Sequence, residues 1–419
     1  MQTARGTRDF LPEEMRKRNY VLNIIKNIFE KWGFEPMETP ALEEWETLSK
    51  KGEGVKDEIY YFKDKGNREL GLRFDLTVPT ARVVASTNIP KPFRRYQIGY
   101  VWRYDKPSKG RYREFMQTDI DIIGVKESTA DAEVIACACN VFEELGIEFK
   151  VKLNNRKIIE AAAKEFSIPK DKINDVFRSI DKLDKMGEET VRKELGQIMD
   201  KDKTEKILKF IKMPVEKAEK IVSNQLGKEG FDELKIIMKE LKFYGYEKKV
   251  NIDLSLVRGL DYYTGPVFEF FSDNKEIGNL SIAGGGRYDN LLKTFGRDDA
   301  ATGIGLGFER IIDILKIDMP LKLIMIIAID EKFRQDAIEI SMLLRKNKIN
   351  CVVECGRISK QLSYAGNKKI PYVMILGEKE LKNDCVKLRD MKTGIEKDVK
   401  LDSIVNEMKK ILITKTSIS

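Results

Sequence analysis

Hydrophobic and polar residues change their spacing several times along the chain, and each change marks an element. Between Pro12 and Gly33 the apolar residues Val21, Ile24, Ile25, Ile28, Phe29 and Trp32 recur three to four positions apart. Pro12, Glu13 and Glu14 suit a first turn, and Gly33 suits a stop, so the spacing predicts a long amphipathic helix. Phe34 to Pro40 carries prolines that cannot donate to a strand ladder, which predicts an extended segment at a sheet edge or an interface. From Ile59 to Gly124 short β-branched and aromatic runs are broken by Gly, Pro and charged turns, the pattern of an antiparallel sheet. A helix from about Ser128 to Leu145 follows.

Residues from about Lys152 to Lys249 are dense in Lys and Glu, poor in aromatics and helical in period, as in Leu234, Ile237 and Leu241. They predict an all-helical insertion. Strand-like, glycine-bearing sequence returns from Val250 to Gly307, and Phe308 to Ile317 closes as a helix. Beyond Met319 and Pro320 the pattern becomes strand Leu321–Ile329, helix Phe333–Lys346, strand Ile349–Val353, helix Ser359–Asn367 and strand Tyr372–Leu376. Strands alternating with helices predict a parallel βαβ sheet. The expected organisation is therefore an α+β body, 1–151 and 250–319, interrupted by a helical segment, 152–249, and followed by an α/β domain, 320–419.

Composition narrows the chemistry. The 419 residues contain no histidine, so no His-dependent triad, imidazole base or His metal ligand can operate. Five cysteines are too few and too scattered for a disulfide framework. Cys351, Cys355 and Cys385 offer three thiolates without an imidazole, so buried thiols are expected and a zinc site is not. No run reaches the ~18 apolar residues of a membrane span, and no apolar core follows the first charge, so a cytoplasmic protein is expected. Net charge is +8, and residues 321–419 carry 20 Lys and Arg against 13 Asp and Glu, so nearly all the excess sits there. A basic terminal domain on a near-neutral body suits a polyanion such as nucleic acid, and equally a Lys-rich solvated face.

Four segments concentrate residues with chemical capacity. Arg103 to Phe115 reads as two β flanks joined by a cationic hairpin loop through Pro107 and Gly110, with arginines suited to phosphate and Phe115 suited to a purine ring. Gln117, Asp119 and Asp121 alternate, so a strand would put an amide and two carboxylates on one face, able to hold an ammonium. Asp75 and Thr77 repeat the device, an acid and a hydroxyl two apart on one strand face. Leu256 to Gly265 sets Arg258, Tyr262 and Tyr263 in an apolar stretch, where a buried arginine without a task is expensive. Finally, Ala283 to Asp289 and Gly303 to Arg310 are glycine-rich, yet neither has the strand–turn–helix context of a dinucleotide fold or the lysine of a P-loop.

Taken together these segments resemble the class II aminoacyl-tRNA synthetases, and within them the histidyl-tRNA synthetases, over essentially the whole length. The first class motif would be the opening helix and the strand ending at Pro40, the second Arg103 to Glu114, and the third Gly303 to Arg310. Leu256–Tyr263 and Ala283–Asp289 resemble the two signature peptides of the histidyl enzymes. The resemblance implies an antiparallel sheet core flanked by helices, a helical insertion domain touching the acceptor arm, and a C-terminal α/β anticodon-binding domain. It implies ligation of histidine to tRNA(His), with ATP and Mg²⁺, by a homodimer. It also implies that Arg103, Arg111 and Arg310 bind the ATP phosphates, and that Asp105 and Phe115 hold the adenine. Asp75, Thr77, Gln117 and Asp121 would hold histidine, with Tyr262, Tyr263 and Tyr288 around the imidazole, and Arg258 would stabilise charge between the carboxylate and the α-phosphate. Many members carry glutamate where Asp75 and Asp121 stand here, and histidine where Met116 stands. Related non-catalytic chains regulate an ATP phosphoribosyltransferase; they lack the last domain and often the catalytic arginine, both of which have counterparts here.

Overall fold

The computed structural model describes residues 1–50, 57–107, 110–258, 262–272 and 281–413. Two compact units emerge: Met1–Phe10 with Arg18–Lys316, and Leu11–Lys17 with Ile317–Ser419. The opening helix spans Pro12–Lys31 and buries Val21, Ile25, Ile28 and Phe29.

In chain order the strands of the first unit are β1 (Glu35–Pro36), β2 (Leu42–Glu44), β3 (Tyr61–Lys63), β4 (Glu69–Leu72), β5 (Phe93–Trp102), β6 (Glu114–Ile123), β7 (Phe149–Asn155), β8 (Val250–Ile252), β9 (Pro266–Ser272), β10 (Ser281–Arg287) and β11 (Ala301–Gly307). Eight of them make one sheet, β1-β5-β6-β11-β10-β9-β7-β8, while β2-β4-β3 stand apart as a small second sheet. The outermost pairs β1–β5 and β7–β8 are parallel, and every pair between is antiparallel. β5 and β6 run against each other for ten residue pairs, from Phe93↔Ile123 to Trp102↔Glu114.

Strand alternation divides the large sheet into two unlike faces. On one face Ile120 and Ile122 of β6, Ile304 and Leu306 of β11 and Phe268 and Phe270 of β9 are buried. The helix Thr129–Glu144 covers this face, and Phe142 meets Phe149 and Phe270 at 5.6 and 5.4 Å between ring centroids. Each such ring, withdrawn from water, stabilises the fold by about 2 kcal/mol. Arg287 of β10 enters the same layer, where Asp131 and the carbonyls of Val125 and Glu127 accept from its guanidinium. A buried cation is tolerable only when its donors are taken up in this way. The opposite face carries the polar alternation of β6.

Four expectations need correction. Thr77 is not on a strand: it opens the helix Thr77–Ser86, because Asp75 Oδ1 accepts from the Val78 N–H at 3.0 Å and Pro79 falls in the first turn, where a missing donor is harmless. The helical segment does not begin at Lys152, because β7 runs to Asn155 with Val151 and Leu153 buried at the strand period. Its helices start at Arg156, capped by the Asn155 side chain, and end with Gln225–Phe243, capped by Asn224. The single sheet expected before Gly124 is split in two by that same Thr77–Ser86 helix.

The fourth correction concerns the second unit. Its strands are β12 (Ile324–Ala328), β13 (Cys351–Cys355), β14 (Tyr372–Leu376), β15 (Cys385–Asp390) and β16 (Glu396–Lys400), in the order β13-β12-β14-β15-β16. β13, β12 and β14 are parallel as the pattern predicts, but β15 and β16 add an antiparallel hairpin. Lysines on its solvent side hide the alternation, and Asp390 Oδ1 accepts from Lys392 and Thr393 N–H to shape the turn before Gly394. The helix Arg334–Lys346 packs Ala337, Ile340 and Leu344 on one side of this sheet. The helix Ile358–Asn367 packs Ala365 on the other. Among the described residues no helix is long and apolar enough to cross a membrane.

Candidate active site

The polar face of the large sheet is built across five strands in register. Arg95 and Gln97 of β5 stand opposite Asp121 and Asp119 of β6, which stand opposite Gly303 and Gly305 of β11. Gly305 pairs in turn with Gly284 of β10, and Gly284 with Glu269 of β9. The glycines are a spatial requirement: a Cβ on Gly305 would lie 2.8 Å from Asp119 Oδ1, and one on Gly303 would overlap the Asp121 carboxylate. Charged side chains of β6 thus lie down over a floor that has no side chains of its own.

At one end of this floor, acids surround a dehydrated cation. Arg95 is wholly buried and ion-paired with Asp121, which also accepts from the Tyr288 hydroxyl at 2.5 Å. Burial pushes the Asp119 carboxyl up to about 8; Arg95 opposes this, and the neighbouring carboxylates Asp121 and Asp75 add to it. Burial also raises Asp121, against the pull of Arg95 and the Tyr288 hydrogen bond. Tyr262 packs on Tyr263 at 4.7 Å and meets Tyr288 edge-on at 6.2 Å, and burial raises all three phenols. Both Tyr262 and Tyr263 feel the charge of Asp75. The result is a cluster of aromatic rings over an anionic base, chemically suited to an ammonium and a planar polar ring.

At the other end the charge is positive. Arg103 donates from Nε to the Phe74 carbonyl at 2.9 Å and holds its guanidinium carbon 5.2 Å from the Phe115 ring centroid. Arg111, in the hairpin, is exposed and donates to Asp105 at 2.7 Å. Arg310 lies in the first turn of the helix Phe308–Ile314 and donates to the Ser281 carbonyl. Burial lowers the Arg310 pKa, Glu269 counters, and repulsion from Arg111 and Arg103 lowers it further. Three guanidinium groups gathered at one end, two of them repelling Arg310, are chemically suited to a polyanion.

Arg258 lies along the same floor. Its guanidinium sits directly over Gly284, where any Cβ would overlap it, with Nη1 buried and without a hydrogen-bond partner among the described residues. The group is 5.7 Å from the Tyr263 ring centroid. Burial works against its charge, but Tyr263, Glu269, Tyr262 and Asp181 outweigh that and raise its pKa. Glu269 therefore acts on Arg258 and on Arg310 alike, which links the two ends of the floor.

Of the residues expected from sequence, Asp75, Asp121, Tyr262, Tyr263 and Tyr288 come together at the acidic end, and Gln117 continues their strand. Thr77 stands next to Asp75's cap, on the first turn of its helix. Arg103, Arg111, Phe115 and Arg310 gather at the cationic end, where Asp105 is engaged by Arg111. Ser108 and Lys109 of the hairpin and Gly259 to Asp261 of the segment after Arg258 lie outside the described residues. Sequence reasoning missed Arg95 and Glu269. Their alternation with apolar neighbours, Tyr96 and Phe270, was a usable signal, but neither sits in a glycine-rich or cationic cluster that would single it out.

The chain is similar to known proteins along nearly its whole length. A family model described as histidyl-tRNA synthetase matches residues 6–311, and one described as an anticodon binding domain matches residues 323–411. A histidine–tRNA ligase of Aeropyrum pernix is 39% identical over 97% of this chain and 98% of its own length. One from Thermococcus kodakarensis is 38% identical over 98% and 99%. The crystal structure of histidyl-tRNA synthetase from a Nostoc species superposes with a TM-score of 0.85 at 29% identity, covering 98% of this chain and 99% of that one. Matched along nearly its whole length in sequence and in fold, the chain belongs to the histidyl-tRNA synthetase family.

Proposed function

We propose that the chain activates histidine with ATP and transfers it to the 3′ end of tRNA(His). In the first step the histidine carboxylate oxygen attacks the α-phosphorus in line, the bond to the bridging oxygen breaks, and pyrophosphate leaves. In the second, a hydroxyl of the terminal ribose of tRNA attacks the acyl carbon and AMP leaves. Neither step needs a protein nucleophile or an imidazole, in keeping with a chain that contains no histidine.

In this reading Asp75, Asp121 and Gln117 hold the α-amino group and ring nitrogens of the substrate, with Thr77 beside them, and Tyr262, Tyr263 and Tyr288 enclose the ring. Arg103 binds the α-phosphate, with Arg111 and Arg310 on the rest of the triphosphate, and Asp105 and Phe115 are assigned to the adenine. Arg258 stabilises the charge that develops between carboxylate and α-phosphorus, where a fixed cation contributes most. The assigned Mg²⁺ would neutralise charge on the triphosphate. The helical segment 156–243 is assigned to the acceptor arm and 320–419 to the anticodon, which the basic excess of the latter favours. The exposed edge strand β1 is assigned, with the opening helix, to a homodimer interface, and a tRNA substrate implies the cytoplasm.

The observation that carries the reading is the polarity of one floor: an acidic, aromatic pocket at one end, three converging arginines at the other, and buried Arg258 over the glycine floor. Amino-acid-dependent ATP–pyrophosphate exchange tests it. Exchange with histidine alone is expected. No exchange with any amino acid would replace it with a non-catalytic, regulatory role.

A further inference from the structure

Arg111 and Arg103 repel Arg310, and Arg111 and Arg310 stand on separate elements, the hairpin and the helix Phe308–Ile314. Something must hold those elements together before an anion arrives. The residues next to Arg111 and Arg310 show what does.

Glu309, immediately before Arg310, is buried, and both of its oxygens are taken by arginines from outside the motif. Arg18 of the opening helix, itself fully buried, donates to Glu309 Oε2 and Oε1 at 2.8 Å each. Arg8 donates to Oε2 at 2.5 Å. The Met116 N–H of β6 closes the set on Oε1 at 3.3 Å. Each cation is also stacked: Arg18 between Phe10, at 3.9 Å, and Phe308, at 4.8 Å, and Arg8 over Tyr112 at 3.5 Å. Tyr112 neighbours Arg111. The segment is fixed on the hairpin side as well, because the Gly6 carbonyl accepts from the Arg113 N–H at 2.9 Å. A Cβ on Gly6 would lie 2.8 Å from the Arg113 side chain, and its φ of 86° already favours glycine.

We propose that the segment Gly6–Phe10 is a strap that positions the ATP site: Arg8, stacked on Tyr112 and paired with Glu309, joins the hairpin to the helix that carries Arg310. Arg8 is a positioning residue; it acts through its two neighbours and not on substrate. A planar guanidinium serves here because it can stack on a ring and donate to a carboxylate at once, which an ammonium does less well. The inference rests on the assignment of Arg111 and Arg310 to the triphosphate. Only ATP should report the loss of the strap, since the acidic end of the floor touches none of these residues.

The test is histidine-dependent ATP–pyrophosphate exchange on the full chain, with KM measured separately for ATP and histidine. Arg8→Ala is expected to raise the ATP KM about tenfold and leave the histidine KM within twofold, the scale of one charge-assisted contact with its stacking. Tyr112→Ala should do the same, and Tyr112→Phe, which keeps the ring, should restore the unsubstituted value. The double variant Arg8→Ala/Tyr112→Ala should lose little more than either alone. An unchanged ATP KM in Arg8→Ala overturns the strap while leaving the site assignment in place, as does an equal rise in both KM values with a fall in Tm. No exchange by the unsubstituted protein overturns the assignment and the strap together.

Discussion

The two ends of the catalytic floor handle charge in opposite ways. At the cationic end Arg111 keeps contact with water, its side chain 56% exposed, whereas Arg95 at the acidic end is 0% exposed. Two unit charges 4 Å apart interact by about 1 kcal/mol in water and about 4 kcal/mol near a protein surface. A solvated Arg111 can therefore stand near Arg310 at little cost, while Arg8 and Arg18 hold the helix that carries Arg310 through Glu309. Dehydrated carboxylates cannot, and the acidic end is balanced from within by Arg95, by the Tyr288 hydroxyl and by the raised pKa of Asp119. Such an arrangement suits a large external anion at one end and a small cation at the other.

Removing the residue between them should have the largest effect. Arg258→Ala is expected to lower the rate of histidyl-adenylate formation about a thousandfold, within the range for losing one preorganised charge donor, with histidine KM nearly unchanged. Single-turnover adenylate formation measures it, and a loss below tenfold would remove Arg258 from the reacting centre. Arg310→Ala comes next, with about a hundredfold loss in kcat/KM for ATP and less for histidine. If both substrates suffered equally, the ends would not be separate.

Gly284→Ala asks whether the floor itself matters. The added methyl would overlap the Arg258 guanidinium, so the arginine must move or the strand must shift. Roughly a tenfold fall in exchange rate is expected with a modest loss of Tm, because small displacements of a preorganised charge are costly. Gly187→Ala, at an open positive-φ turn of the helical segment, is the control that tests glycine replacement without such an overlap. Equal activity losses in the two variants would count against the floor.

How much of this was readable beforehand differs between the same regions. The arginines and tyrosines stand out because they sit in loops and glycine-rich strands where such residues have no packing reason to be. The alternation of Gln117, Asp119 and Asp121 likewise placed them on one strand face, as β6 does. Thr77 misled because Thr77-Val78-Pro79 has strand composition, and only a through-space bond from Asp75 to Val78 turns it into a helix start. Arg95 was hidden for a related reason. Its partners are Asp121, 26 residues away across a strand pair, and Asp119 beside it, so its importance depends on register. The strap is less legible still, since Arg8 and Glu309 are separated by 301 positions.

The smallest effect concerns protons. Ionising Asp119 adds a negative charge beside Asp121 and Arg95, at the end of the floor where the substrate's ammonium is assigned. Because Asp119 is pushed up to about 8, its ionised share grows from about a tenth at pH 7 to about three quarters at pH 8.5. Histidine KM should therefore fall roughly fivefold across that interval, and Asp119→Asn should flatten the profile. Stability should move the other way. A carboxyl whose folded pKa lies above its ordinary value near 3.8 takes up a proton on folding, so its contribution is present at low pH and is lost as pH rises through about 8. Tm without substrate should then drop between pH 7 and 8.5 while histidine affinity improves, and Asp119→Asn should abolish both trends. Parallel movement of the two, or a slope that survives the substitution, would assign the titration to a different group.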